Sequence, residues 1–345
     1  MQALRPGRGA GNRVTQDRLA GSILGQALGD ALGFVVEAQP PEVALVYVDG
    51  WLRTGRAAEW AHPRFPFGQY SDDTQLAREL LRSFQDAGHW DPATFAVRLS
   101  ELFREGRDVG AGRGTRSAAM RLLMGVPWRE SGTPAPYAGN GAAMRAGPLG
   151  LLLPDPPAMC HAAREQSRIT HLDSRCAAGA AAVARAVGIA SGYRGVVADF
   201  LAEVAGCAEG EDGSVAETIR GLADWIALEP ADAARHVHES GLDPAHMDRW
   251  RGISAFVTPS VLWSFYAFLR SPDDYWETIC TAIAVGGDTD TMAAIAGAIS
   301  GARLGVAALP EDLLARVNDR EEWGAEALTQ LAQSCERIAG RLPHV

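Results

Sequence analysis

The sequence predicts an all-α fold collected into one domain. Ala, Leu and Arg abound while β-branched runs are few, which favours helix over strand. Helical stretches are separated by Asp-Pro, Gly and Pro boundaries. The linkers are short beside the helices, and no internal repeat of fixed period is present. The chain has 345 residues, 47% of them hydrophobic, which is enough for a substantial core.

The chain opens on a segment read as a disordered arm over residues 1–16, ahead of a domain over 17–340. The arm has arginines but no apolar run, so it is not a signal peptide. A first helix is expected from Arg18 to about Phe34. Residues 37–70, with "QPPE" and "DG", read as a long irregular connection. Asp73 or Thr74 then caps a helix that stops at Gly88, and "DPATFAVRLSELFRE" restarts with Asp-Pro. "GRDVGAGRGTRSAAM" is a Gly-rich loop entering another helix, and 125–141 is a second long loop. Helices follow near 143–153, 157–169 and 173–190. "CAEGEDGSVAE" reads as an acidic surface linker. The last helices are expected near 214–228, 255–269, 273–284, 291–304 and 311–337.

Composition excludes several functional classes. The net charge of -10 disfavours general nucleic-acid binding. All 32 basic residues are arginine, which reads as compositional bias. The five cysteines are dispersed, with no C-x-x-C, which argues against a disulfide framework or zinc and fits a reducing cytoplasm. No stretch of about 18 uncharged apolar residues occurs, the nearest being 279–299, so no membrane association is expected. The protein is expected to be a monomer.

Two helices carry small residues at a spacing of four. "GSILGQALGDALG" places Gly21, Gly25, Gly29 and Gly33 on one face, and Ala293, Gly297, Gly301 and Gly305 form a similar row. Each interior Gly costs about 0.8–1 kcal/mol against Ala. Close backbone approach offsets that cost, so the two faces are expected to pack on each other at the centre of the domain.

Three acidic clusters sit at helix edges: Asp30 with Glu37, "SDDT" (Ser71 to Thr74), and "GGDTDT" with Asp288, Asp290 and Thr291. Helix capping explains one acid in each, yet each supplies two. So many carboxylates at one locus repel unless cations lie among them. An all-oxygen ligand set selects Mg²⁺, Mn²⁺ or Ca²⁺ over Zn²⁺, and its size suits two ions. Asp72 and Asp73 are adjacent and can face different ions. Asp288 and Asp290 point to one side if extended. "YAGNGAAMRAGPLG" offers backbone N–H groups around Asn140, with Arg145 as added charge. "DVGAGRGTR" weakly resembles a phosphate-cradling loop. Thr170-His171 precedes a further helix.

These segments, in this order, resemble the ADP-ribosylglycohydrolase family from about Gly21 to Gly305. The resemblance implies a compact orthogonal helical bundle with a central dinuclear Mg²⁺ or Mn²⁺ cleft. It assigns Ser71, Asp72, Asp73, Asp288, Asp290 and Thr291 as metal ligands. Glu37 matches an acid near the metals, and Asp73 and Asp108 are further catalytic candidates. Substrate contacts are implied at Gly110, Gly112, Asn140, Gly141, Ala142, Met144 and His171, with adenine against "GISAFVTPSVLWSF". The implied activity is hydrolysis of the glycosidic bond at C1″ of ADP-ribose on a modified protein or related acceptor. Two alternatives remain at this point: a non-catalytic ADP-ribose binder on the same scaffold, and a two-metal phosphoester or diphosphate hydrolase.

Overall fold

The computed structural model describes residues 10–240 and 250–341, with side chains from Arg18 onward. Among these residues there are sixteen α-helices and no sheet. In chain order they are α1 (Ala10–Gly33), α2 (Pro41–Tyr47), α3 (Asp72–Ala87), α4 (Pro92–Arg104), α5 (Arg113–Leu123), α6 (Leu149–Leu152), α7 (Pro156–Thr170) and α8 (Ser174–Ile189). The second half holds α9 (Val197–Glu209), α10 (Gly213–Gly221), α11 (Pro230–Glu239), α12 (Val257–Arg270), α13 (Tyr275–Ala284), α14 (Thr289–Leu304), α15 (Glu311–Leu314) and α16 (Ala325–Ala339). The all-α expectation is met.

The centre is an antiparallel pair, α1 against α14. A Cβ added at Gly25 would lie 2.4 Å from the carbonyl oxygen of Gly297, and one at Gly297 would lie 2.2 Å from that of Gly25. At Gly33 the clash would be with Thr289 O at 2.3 Å. The two backbones touch along the whole row, as the four-residue spacing predicts. α14 then serves two apolar clusters. Met292, Ile295 and Ile299 join the cluster of α4, α7, α8, α9 and α12. Ala293 and Ala296 join that of α1, α3, α13 and α16.

Several local expectations are corrected. Of the arm placed at 1–16, residues 1–9 lie outside the described residues, and α1 already begins at Ala10. α3 is capped by Ser71, whose side chain accepts from Asp73 N, rather than by Asp73 or Thr74. The irregular stretch 37–70 holds α2, which starts with Pro41 in its first turn. Residues 143–148 turn rather than continue as helix, and only α6 follows Pro148. The "CAEGEDGSVAE" linker is instead the last residues of α9, to Glu209, a short turn, and the start of α10 from Gly213, capped by Asp212. The helix expected over 311–337 is broken between α15 and α16. The intervening turn carries Asp319 inward to accept from Arg78 Nη1 at 2.7 Å and Gln75 Nε2 at 2.9 Å. Among the described residues one helical stretch, Arg18–Val36, meets the length and apolarity of a membrane span, but 94% of it is buried inside the molecule as the core helix.

Candidate active site

Four chain segments converge at one end of the α1–α14 pair. Asp30, fully buried on α1, accepts from Ser71 N at 2.8 Å, Thr74 N at 2.9 Å and Thr74 Oγ1 at 2.6 Å. It therefore fixes the start of α3 with Asp72 and Asp73 in the first turn. Opposite lies the start of α14. Gly286 and Gly287 adopt φ of +69° and +87°, which favours glycine. Ala38 N donates to Gly287 O at 2.8 Å, and Asp288 N donates to Ile253 O at 2.8 Å. This stitching holds Asp288 beside Glu37. Asp288 occupies the N-cap position of α14 without a side-chain capping hydrogen bond, and Asp290 lies in the first turn, so the pair is not extended.

The result is a carboxylate cluster. Oxygens of Asp30, Asp73 and Asp290 lie within 4.8 Å of one another, as do those of Glu37, Asp288 and Asp290. Asp290 belongs to both triads. Burial raises the pKa of Asp72, Asp73 and Asp290 well above the usual carboxylate range, reinforced by neighbouring acids. Burial lifts Asp30 to about 6. Burial, Asp288 and Asp30 lift Glu37 to about 7.

Little positive charge answers this cluster among the described residues. Arg64 acts on Glu37 and Arg145 on Asp72. Arg145, expected to offer charge to an anion, is instead buried and committed. It donates to Gln166 Oε1 at 2.7 Å, Gly141 O at 2.8 Å and Thr170 Oγ1 at 2.7 Å. Asp73 Oδ1 is buried with no hydrogen-bond partner. A buried, unpartnered carboxylate oxygen amid other acids is costly. These residues fit a hard divalent cation, which such an oxygen would ligate.

The cluster floors a cleft. Glu37, Asp72, Asp73, Asp288, Asp290 and Thr291 line it. So do the expected contacts Gly110, Gly112, Asn140, Gly141, Met144 and His171. The loop before α5 is pinned to α3: Asp72 N donates to Val109 O at 2.6 Å, and Val109 N to Gln75 Oε1 at 2.9 Å. Asn140 N donates to Ala255 O at 3.0 Å. Asn140 Nδ2 donates to Asp288 Oδ2 and to Ser260 Oγ. His171 is held neutral, its pKa pushed down to about 3 by burial and Arg145.

Three expected residues do not reach the cleft surface. Ser71 stands behind it, its hydroxyl donating to Asp73 Oδ2 at 2.9 Å. Ala142 is fully buried in the turn Asn140–Ala142. Asp108 is not among the lining residues; its carboxylate pairs with Arg116 at 2.7 Å, and its charge also acts on Asp72. Of the expected adenine region, only Ala255 lines the cleft, because α12 from Val257 onward turns into the core. Sequence reading missed Thr115, Tyr137 and Trp250 in the walls. Tyr137 stacks on His171 with ring centroids 5.8 Å apart, and its hydroxyl accepts from Gly114 N at 3.2 Å. The one available signal was its position three residues before Asn140.

Comparison with known proteins agrees with this architecture. The family model described as ADP-ribosylglycohydrolase matches residues 12–342. The chain is 29% identical to the human ADP-ribosylhydrolase ARH3, over 93% of each chain. It is 29% identical to the ADP-ribosyl-[dinitrogen reductase] glycohydrolase of Rhodospirillum rubrum, over 89% of this chain and 92% of that one. A solved structure described as an ADP-ribosylglycohydrolase-related protein complex superposes with a TM-score of 0.65 at 29% identity, covering 95% of this chain and 99% of that one. The chain therefore belongs to the ADP-ribosylglycohydrolase family of enzymes.

Proposed function

We propose that this enzyme removes ADP-ribose from modified protein side chains by hydrolysing the glycosidic bond at C1″, with two divalent cations, Mg²⁺ or Mn²⁺, as cofactors. The observation that carries the metal dependence is the buried carboxylate cluster with its orphaned Asp73 oxygen. Asp73 and Asp290 would hold the ions together with Asp72, Asp288 and Thr291, and Asp30 and Glu37 would complete the surrounding acids. Bound there, the ions would orient the ribose hydroxyls and polarise water.

The chain's own groups supply the rest. Glu37 can hold or release a proton near neutrality at its carboxylate, because burial and two neighbouring acids raise it. Water oxygen adds to C1″, the bond to the acceptor breaks, and the departing atom receives a proton. Asn140 fixes Asp288 through its Nδ2, so that loop and floor hold one geometry. Gly110 and Gly112 of the α5 loop line the cleft, where their backbone would meet the diphosphate.

The test uses chelator-treated protein with Mg²⁺ or Mn²⁺ restored, and arginine-linked and serine-linked ADP-ribosyl peptides as substrates. Free ADP-ribose is the expected product, and AMP with ribose phosphate would point to a diphosphate hydrolase. Asp73→Asn and Asp290→Asn are expected to lower the rate by at least about 10²-fold. Near wild-type rates of both variants without metal would overturn the dinuclear reading.

A further inference from the structure

A buried cation reaches the cleft wall through a short chain of hydrogen bonds that ends at His171. This residue is the extended C-cap of α7, and its backbone N–H donates to Ser167 O at 2.8 Å. The loop before Asn140 brackets it: Thr133 N donates to Thr170 O and Leu172 N to Thr133 O, both at 2.8 Å. Tyr137 lies against one face of the imidazole. Arg145 Nη2 donates to Thr170 Oγ1 at 2.7 Å, and Thr170 Oγ1 stands 2.8 Å from His171 Nδ1. A guanidinium has only donors, so the Thr170 oxygen accepts from it. Thr170 is fully buried, and among the described residues His171 Nδ1 is the one acceptor its hydroxyl proton meets. A proton on Nδ1 would leave that hydroxyl proton orphaned in the interior, which carries the full desolvation cost of a buried donor. The same objection applies to a doubly protonated ring, and burial and the Arg145 charge oppose that form as well. His171 therefore accepts at Nδ1 and carries its proton on Nε2. That edge of the ring lies next to two cleft-lining glycines: a Cβ on Gly114 would come within 3.0 Å of Nε2, and one on Gly139 within 3.3 Å. Although His171 is only 2% exposed, Nε2 makes no protein hydrogen bond among the described residues.

We infer that Arg145 and Thr170 are positioning residues that lock His171 into the Nε2–H tautomer, making its ring a fixed hydrogen-bond donor to a phosphate oxygen of the substrate and not a base. The inference rests on the reading of the cleft as an ADP-ribose site. The α5 loop that carries Gly112 runs directly to Gly114, beside Nε2, so a diphosphate along that loop brings acceptor oxygens to this edge. Phosphate oxygens are the strongest acceptors such a ligand offers. A donor that is set before the ligand arrives loses no tautomer freedom on binding. Arg145 thus acts on the substrate at second hand, by orienting the Thr170 hydroxyl.

NMR of the full chain with nitrogen-labelled histidine, in Mg²⁺ and with His171→Gln for assignment, tests this. The expected wild-type spectrum has a protonated Nε2 and a bare, hydrogen-bonded Nδ1 at His171. ADP-ribose is expected to shift the Nε2–H resonance, and adenosine, which lacks phosphate, is expected to leave it in place. Thr170→Val removes the hydroxyl. It should give a mixture of tautomers and weaken ADP-ribose binding by about tenfold in calorimetry, while Thr170→Ser restores both. The wild-type tautomer is read without ligand, so it decides the matter even where Thr170→Val fails to fold. A protonated Nδ1 in the wild type, an equal shift with adenosine, or an unchanged tautomer and affinity in Thr170→Val would overturn the proposal. A wild type that binds no ADP-ribose would instead overturn the reading of the cleft, and the phosphate contact with it.

Discussion

Glu37 shows how a single residue draws its chemistry from distant parts of the chain. It follows the end of α1, and the Ala38–Gly287 hydrogen bond places it against Asp288. Burial and the charges of Asp288 and Asp30 raise it to about 7, so near neutral pH it exchanges a proton readily. Glu37→Gln keeps the shape and removes the titration. It is expected to lower kcat by about 10²–10⁴-fold with little change in KM, and to flatten the pH–rate limb nearest neutrality. A loss of only a few-fold, or an unchanged pH profile, would sink a proton-handling role. The acids were legible because two per helix start exceed what capping needs. Tyr137 was not legible, since an aromatic in a Pro-rich loop has no periodicity that tells wall from surface. The ion pair of Asp108 was not legible for a related reason. Sequence shows an acid beside a Gly-rich loop, but not that Arg116, one turn into α5, takes it up.

Among elements, the α1–α14 pair decides where the acids stand. The row Gly21–Gly33 was legible because a four-residue spacing of costly glycines has few other physical causes. α2 and the end of α9 were not, because prolines and an acidic patch there read as connection and linker. The contact makes a paired prediction. Gly297→Ala would drive a Cβ to 2.2 Å from Gly25 O, and no side chain can move aside to relieve it. It is expected to destabilise the protein by roughly 1–3 kcal/mol or more, despite the better helix propensity of Ala. Gly206, inside α9, would place a Cβ in open space. Gly206→Ala is expected to stabilise by about 0.4–1 kcal/mol. Urea unfolding of both variants checks the signs, and a neutral or stabilising Gly297→Ala would contradict the backbone contact.

For the whole molecule, the cluster couples pH, metal and stability. In the metal-free protein the folded-state pKa values of Asp30 and Glu37 are raised, from 3.8 to about 6 and from 4.5 to about 7. Between the unfolded and folded values the native state binds more protons than the unfolded chain. Stability from these groups is therefore fully present below about pH 4, and it is lost as pH rises to about 7. Each proton held by the native state alone contributes a slope of ~1.4 kcal/mol per pH unit. Asp72, Asp73 and Asp290 shift in the same direction and extend the loss upward in pH. Divalent cations act oppositely, since they bind only ionised carboxylates and only the folded site. Chelator-treated protein should thus show Tm falling from about pH 5 to 8, while saturating Mg²⁺ or Mn²⁺ should flatten or reverse that trend. The metal-induced Tm gain should be small at pH 5 and largest at pH 8. Differential scanning fluorimetry over this range, with Asp290→Asn as comparison, separates the outcomes. Asp290 sits in both triads, so its loss should remove most of the metal gain at pH 8 and soften the metal-free pH dependence. A metal gain independent of pH would mean that the ions bind elsewhere than at this buried acid cluster.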